Sequence, residues 1–290
     1  MTASIEKALL SLEGLSVGDA FGELFFSLPA SVFETRKLPS GPWPWTDDTH
    51  MALSVVEVLK NHGKIDQDVL ARAFARRFME QPYRGYAGGA RLLLSRIHAG
   101  EDWREAAPAL FGGGSYGNGS AMRIAPVGGY FAGDPARAAS EARLAAVITH
   151  AHPEAQAGAM AVAAAAAVAG SAHCPSGNDF IGEVLAFVPE SLTRKSIEMS
   201  LEIPREGLKE AIRKLGTGRR VSAQDTVPFC IWNAAHTLHD FEEALWRTAA
   251  GRGDCDTTCA IVGGIVALSA PEIPPLWVRC REPLPEGFAV

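Results

Sequence analysis

The stretch WTDDTHMALSV, Trp45 to Val55, sets two adjacent carboxylates, Asp47 and Asp48, between the hydroxyls of Thr46 and Thr49. An apolar pattern of helical spacing begins at the same point. Helix capping accounts for this arrangement by itself: Thr46 suits an N-cap, and acids in a first turn are stabilised by free N–H groups and the helix dipole. A second cluster follows much later, in GRGDCDTTCAIVGGIVAL, where Asp254, Asp256 and Thr257 again precede an apolar, small-residue helix. Gathered in one cleft, Asp47, Asp48, Asp254 and Asp256 would repel one another unless cations offset them. Carboxylates and hydroxyls are hard oxygen donors, which suit Mg²⁺, Mn²⁺ or Ca²⁺ rather than zinc or copper. Spacing alone leaves open whether the two clusters meet.

Between them lies FGGGSYGNGSAMRIAPVGGYF, with Gly112, Gly113, Gly114, Gly117 and Gly119 in quick succession. Such a loop lets backbone N–H groups approach a phosphate or ribose, and SAMRIAPV is expected to open a helix whose dipole favours an anion. Neither the Walker pattern nor G-x-G-x-x-G after a strand is present, so a flexible connection stands as the alternative. Further on, THAHPEAQ places His150 and His152 before an Ala-rich helix. Their spacing is not that of H-E-x-x-H, which leaves a substrate hydrogen bond or local packing.

The elements that must hold these residues read as helices. Apolar residues recur at helical spacing in ALLSLEGLSVGDAFG, HMALSVVEVLKNHG, VLARAFARRFME, ARLLLSRIHAG and DFEEALWRTAAG, and long alternating patterns are hard to find. The expectation is an all-α chain of ten or more helices, without a short-period repeat. The polar segment from Pro189 to Asp225, ending in RKLGTGRR, reads as a solvated helix and loop, with phosphate contact as the alternative. The last twenty residues are proline-rich and are expected to form an irregular tail, strapped across the helices by Trp277 and Phe288.

At 290 residues the chain can bury a large core, and with 47% apolar and 21% charged residues its composition is that of an ordinary globular protein. A net charge of −6 argues against a broad footprint for nucleic acid or anionic membrane. The run AGAMAVAAAAAVAGSA is too short and too Ala-rich for a membrane span. The opening MTASIEKALLSLEGL lacks the order of a signal peptide and reads as part of the fold. Five cysteines, with no C-x-x-C pair, fit reduced thiols in a cytoplasm.

In LEGLSVGDAFGELFF, WTDDTHMALSV, GSYGNGSAMRIAPVGG, THAHPEAQAGA and the long stretch from Asp225 through GDCDTTCAIVGG, the sequence resembles the ADP-ribosylglycohydrolases. The resemblance spans most of the chain and implies one domain, residues 1–290, folded as an all-α orthogonal multi-helix bundle around a cleft with two Mg²⁺ or Mn²⁺ ions. It implies Thr46, Asp47, Asp48, Asp254, Asp256 and Thr257 as metal ligands, and Ser115, Tyr116, Gly117, Asn118, Gly119 and His150 as the substrate cradle. The implied reaction is hydrolysis of the bond between the distal ribose of an ADP-ribosyl group and its acceptor, by a monomer. The family's G-D-A-x-G-x-x-x-E pattern ends here in Phe26 rather than glutamate. That departure leaves Glu23, Asp48 and Asp256 as candidates for proton transfer. It also keeps a second reading open, a catalytically silent member that binds ADP-ribose or a nucleotide or serves structurally.

Overall fold

A computed structural model describes residues 4–289, so the first three residues of the opening segment lie outside it. Among the described residues the secondary structure consists of sixteen α-helices and three short 3-10 helices, with no β-sheet and only two isolated bridges. The first half of the chain carries α1 (Ile5–Glu23), α2 (Val32–Thr35), α3 (Asp47–His62), α4 (Gln67–Glu80), α5 (Gly88–His98) and α6 (Trp103–Ala109). After the glycine-rich stretch come α7 (Ala125–Tyr130), α8 (Pro135–Val147) and α9 (Pro153–Ala169). The polar segment folds into α11 (Leu192–Ser200) and α12 (Leu208–Leu215), following α10 (Gly177–Leu185). The chain closes with α13 (Ala223–Thr237), α14 (Phe241–Ala250), α15 (Cys255–Val266) and α16 (Pro275–Cys280).

Helix ends follow local chemistry. Ser4, Asp66, Asp134 and Asp240 each accept a backbone N–H from three residues on, at α1, α4, α8 and α14. Gly63 ends α3 in the left-handed conformation at φ 69°.

The centre of the bundle is built from small residues. Gly14, Gly18 and Gly22 lie four apart on one face of α1, and α15 crosses that face in backbone contact. A Cβ at Gly18 would stand 2.1 Å from the Cys259 carbonyl oxygen, and one at Gly22 would stand 2.2 Å from that of Cys255. Gly263 on α15 faces Gly14 in the same way. The Ala-rich α9 is buried along nearly its whole length, with α7 close enough that a Cβ on Gly128 would meet Ala163 O at 2.3 Å. No helix is long and apolar enough to cross a membrane among the described residues.

The C-terminal strap is partly helical, contrary to the irregular tail expected from its prolines. Pro274 and Pro275 sit where their missing N–H groups cost nothing, at the start of α16. Trp277 stacks on Phe21 at 4.7 Å, Phe288 lies beneath the Arg77 guanidinium, and Arg84 pairs with Glu282 at 2.7 Å.

Gly18→Ala should force α1 and α15 apart and lower stability by about 1–3 kcal/mol, the usual range for overpacking. Gly182→Ala, on a helix position with open space around it, should be neutral or slightly stabilising. Thermal denaturation of the two variants checks the pair, and equal melting temperatures would contradict the close helix crossing.

Candidate active site

Asp19, buried on α1 beside the glycine groove, organises the start of α3. Its carboxylate accepts the backbone N–H groups of Thr46 and Thr49 at 2.9 and 3.0 Å. It also accepts the Thr49 hydroxyl at 2.5 Å. An anion therefore sits at a helix N-terminus, where unpaired N–H groups and the dipole favour it. Thr46 caps the same helix, as its type suggests, and its hydroxyl oxygen lies 2.9 Å from both Asp19 Oδ1 and Asp48 Oδ2. With one hydrogen to give, that hydroxyl can satisfy only one of the two carboxylates.

The α15 end is set by a tight turn with left-handed backbone at Arg252 (φ 56°) and Gly253 (φ 92°). A Cβ at Gly253 would strike the Thr217 carbonyl oxygen, which itself accepts the Asp254 N–H at 3.1 Å. Asn118 donates from Nδ2 to Asp254 Oδ2 at 2.7 Å and to Thr226 Oγ1 at 3.1 Å. The glycine-rich loop is thereby tied to the second acidic cluster.

The two helix starts and the loop wall a single cavity of about 560 Å³. Asp47, Asp48, Asp254, Asp256 and Thr257 line it, together with residues 115–119 and His150. Thr46 stands behind the wall, bonded to Asp19 and Asp48. Glu23, at the end of α1, is half-buried and does not line the cavity. Phe26 is 57% exposed, so its ring belongs to the surface.

Burial and mutual repulsion push the acids toward their neutral forms. Asp47 rises to about 7, through burial first and then the charge of Asp19. Asp48 and Asp256 are held well above the usual carboxylate range by burial and neighbouring aspartates. Asp254 is raised by burial, and Glu23 by burial followed by the charges of Asp19 and Asp254. Arg123, also in the cavity lining, is fully buried.

This donor set fits a hard divalent cation. Asp48 Oδ1 and Asp256 Oδ1 are buried without a hydrogen-bond partner among the described residues, an arrangement that normally demands compensation. The acids stand around the cavity rather than closing on one point: among the described residues, no three Asp, Glu, His or Cys side chains form a ready-made cage.

Several placements depart from the sequence reading. His152 caps α9, its Nδ1 accepting the Glu154 N–H at 3.1 Å, and only His150 lines the cavity. The segment SAMRIAPV does not open a helix at the cleft. It begins in a 3-10 turn over Asn118–Ser120, and α7 starts only at Ala125, with its N-terminus buried in the core. The loop and helix reading of the segment ending in RKLGTGRR is right in kind, but Thr217, Gly218 and Val221 are part of the site's frame. Sequence reasoning gave no role to Asp19, although an acid in the middle of an apolar helical pattern was a visible signal. Phe111 and Val221, both mostly exposed and both with positive φ, also line the cavity without having been singled out.

With the geometry in view, comparison with known proteins gives a consistent result. The profile of the ADP-ribosylglycohydrolase family matches residues 1–286. The ADP-ribosylhydrolase ARH3 of Bos taurus is 27% identical over 82% of this chain and 74% of its own. The ADP-ribosylarginine hydrolase Tri1 of Pseudomonas putida is 24% identical over 95% of this chain and 74% of its own. A solved structure, an ADP-ribosylglycohydrolase-related protein complex, shares the fold with a TM-score of 0.66 at 23% identity, covering 96% of this chain and 93% of that one. The all-α bundle around an acid-lined cavity and the match along almost the whole chain agree: the protein belongs to the ADP-ribosylglycohydrolase family.

Proposed function

We propose that the protein hydrolyses the glycosidic bond between the distal ribose of an ADP-ribosyl group and its acceptor, using two divalent cations. The observation that carries this reading is the convergence of the α3 and α15 acidic ends and the 115–119 loop on one cavity. Thr46, Asp47 and Asp48 on one side and Asp254, Asp256 and Thr257 on the other would hold two Mg²⁺ or Mn²⁺ ions. Such ions supply charge stabilisation at ribose hydroxyls and acidify a water.

The rest of the chemistry falls to the chain itself. Backbone N–H groups of Ser115, Tyr116 and Gly119 bind the diphosphate, those of Gly117 and Asn118 being taken by Ser115 Oγ and Val221 O, and the exposed ring of Tyr116 lies at the cavity edge. Met51, Leu110 and Met122 supply apolar wall that keeps bulk water from the bond. Positive charge developing on the ribose ring, as in other glycoside hydrolysis, meets a concentration of carboxylates. Asp48 or Asp256 takes up the proton from water, or Glu23 does so from the end of α1, since Phe26 has no proton acceptor. All five cysteines are free, which fits a reducing compartment.

Phe26 also favours a second reading, binding of ADP-ribose without turnover. The relatives named above leave the acceptor open, since one is an ADP-ribosylarginine hydrolase and the name of the other states no acceptor. A panel of arginine-, serine-, nucleobase- and acetyl-linked ADP-ribose conjugates, each with Mg²⁺ or a chelator, separates these cases. Chelator-sensitive release of ADP-ribose from one class is expected. Binding of ADP-ribose with no release from any conjugate would select the second reading.

Asp256→Asn should lower the rate by orders of magnitude while the far-UV circular dichroism stays unchanged; a wild-type rate would remove Asp256 from the chemistry. Glu23→Gln should reduce turnover if Glu23 moves the proton, whereas an unchanged rate assigns that step to the aspartates.

A pH dependence also follows. Asp47, at about 7 when folded and near the usual carboxylate value of about 4 when unfolded, binds more proton in the folded state between those values. Stability of the cation-free protein should therefore fall as pH rises from about 4 to about 7. Asp48 and Asp256, also raised, add to the decline. Mg²⁺ should flatten it. Melting temperatures across that range, with chelator and with Mg²⁺, provide the check, and a chelated protein that gains stability with rising pH would refute the repulsive cluster.

A further inference from the structure

Arg123 is fully buried, yet among the described residues it forms no ion pair with a carboxylate. Its guanidinium donates to Gly119 O at 3.0 Å, Ala145 O at 3.3 Å and Thr149 Oγ1 at 2.7 Å. The Met51 sulfur lies 3.4 Å from it, and its charge sits over the Phe74 ring at 4.4 Å. A guanidinium carries donors only, so the Thr149 oxygen must accept. The Thr149 hydroxyl keeps one hydrogen, and Thr149 is buried. Among the described residues the other polar atom within reach of Oγ1 is His150 Nδ1, at 2.8 Å.

This geometry selects the imidazole tautomer. With the proton on Nδ1, the Thr149 oxygen would accept from both sides and its own hydrogen would be left buried and unpaired, a costly state. With the proton on Nε2, both hydrogens around the Thr149 oxygen find acceptors: Arg123 donates to Thr149, and Thr149 donates to Nδ1. The guanidinium also polarises the hydroxyl and makes it the better donor. The doubly protonated ring is disfavoured as well, because burial and then the Arg123 charge push His150 down to about 3.

The other ring nitrogen borders the cavity. His150 Nε2 forms no hydrogen bond within the described protein, and the two glycines of the loop leave it uncovered. A Cβ at Gly117 would lie 3.3 Å from Nε2, and one at Gly119 would lie 3.0 Å from it. Neither glycine has the positive φ that would require its type. Glycine is needed here for space, and that space lies directly over Nε2.

We propose that Arg123 and Thr149 form a relay that locks His150 as the Nε2–H tautomer, so that the cavity floor carries a fixed N–H donor for a diphosphate oxygen of the ligand. Thr149 is then a positioning residue, acting on the ligand through His150. The ligand half of this inference rests on the ADP-ribosyl reading; the tautomer half does not.

Long-range ¹H–¹⁵N spectra of protein with ¹⁵N-labelled histidine test both halves, with His150→Gln assigning the signals. In the ligand-free wild type at neutral pH, Nε2 is expected at a protonated and Nδ1 at an unprotonated ring-nitrogen shift. Averaged shifts, or the reverse pattern, would overturn the relay. Thr149→Val should release the lock and weaken ADP-ribose binding roughly tenfold or more, as expected for a lost hydrogen bond to a charged group. Thr149→Ser should restore the tautomer and most of the affinity, which separates the relay from a general loss of packing. If Thr149→Val keeps both the tautomer and the affinity, the relay is wrong. A locked tautomer in a wild-type protein that fails to bind ADP-ribose would instead overturn the ligand half, and the proposed function with it.

Discussion

The contact of α1 with α15 through bare backbone is the constraint on which the site depends. Gly14, Gly18 and Gly22 remove the side chains from one face of α1, so α15 settles against it with no intervening layer. The crossing places the N-terminus of α15 beside the C-terminal turn of α1. Asp19, one residue beyond Gly18, faces α3 and draws the N-terminus of that helix to the same place. Two helix starts separated by most of the chain become neighbours because one helix is grooved on one face and acidic on another. Packing and chemistry are set here by adjacent residues of one element.

That convergence creates an electrostatic load that capping only partly relieves. Each helix start offers free N–H groups to its own acids, and these interactions stabilise negative charge locally. They do not offset the repulsion between Asp48 and Asp256, or the burial that raises both. The orphaned oxygens of the same two residues mark where the compensation is missing. A cluster this strained is a poor structural device and a good receptor for positive charge. The explanation by capping and the explanation by function describe the same geometry, since the cap aims the carboxylates and the cleft gathers them.

The legibility of the sequence follows from the range of the interactions. Periodicity exposed most helices because each presents a continuous apolar face, and α3, α4, α5 and α14 fall where that pattern lies. The acids at 47, 48, 254 and 256 were visible as helix starts, but only the resemblance to a family brought them together, because spacing carries no information about a crossing made by glycines. Asp19 escaped assignment because its partners lie 27 and 30 residues away. The late start of α7 escaped because Arg123, read as part of a helix, turns inward to hold Gly119 and Thr149 instead. Phe26 was legible as a departure, and the structure gives it a place on the surface, outside the cavity lining.

The polar segment before α13 shows how a stretch that reads as solvent-exposed can still frame a cleft. Arg219 and Arg220 are exposed, as their charge suggests, but the backbone around them is committed. Thr217 O holds the Asp254 N–H, and Gly218, at φ 80°, passes so close that a Cβ would lie 2.6 Å from that of Asp254. A few residues on, Val221 O accepts the Asn118 N–H, and the Ala223 N–H donates to Tyr116 O. One short turn is thus bonded to the acidic wall at one end and to the glycine-rich loop at the other. Hydropathy reports what side chains do, whereas this turn works through its carbonyls and amides. The acids and the loop that line the cavity are accordingly joined through the backbone of this segment, from which Val221 alone reaches the lining.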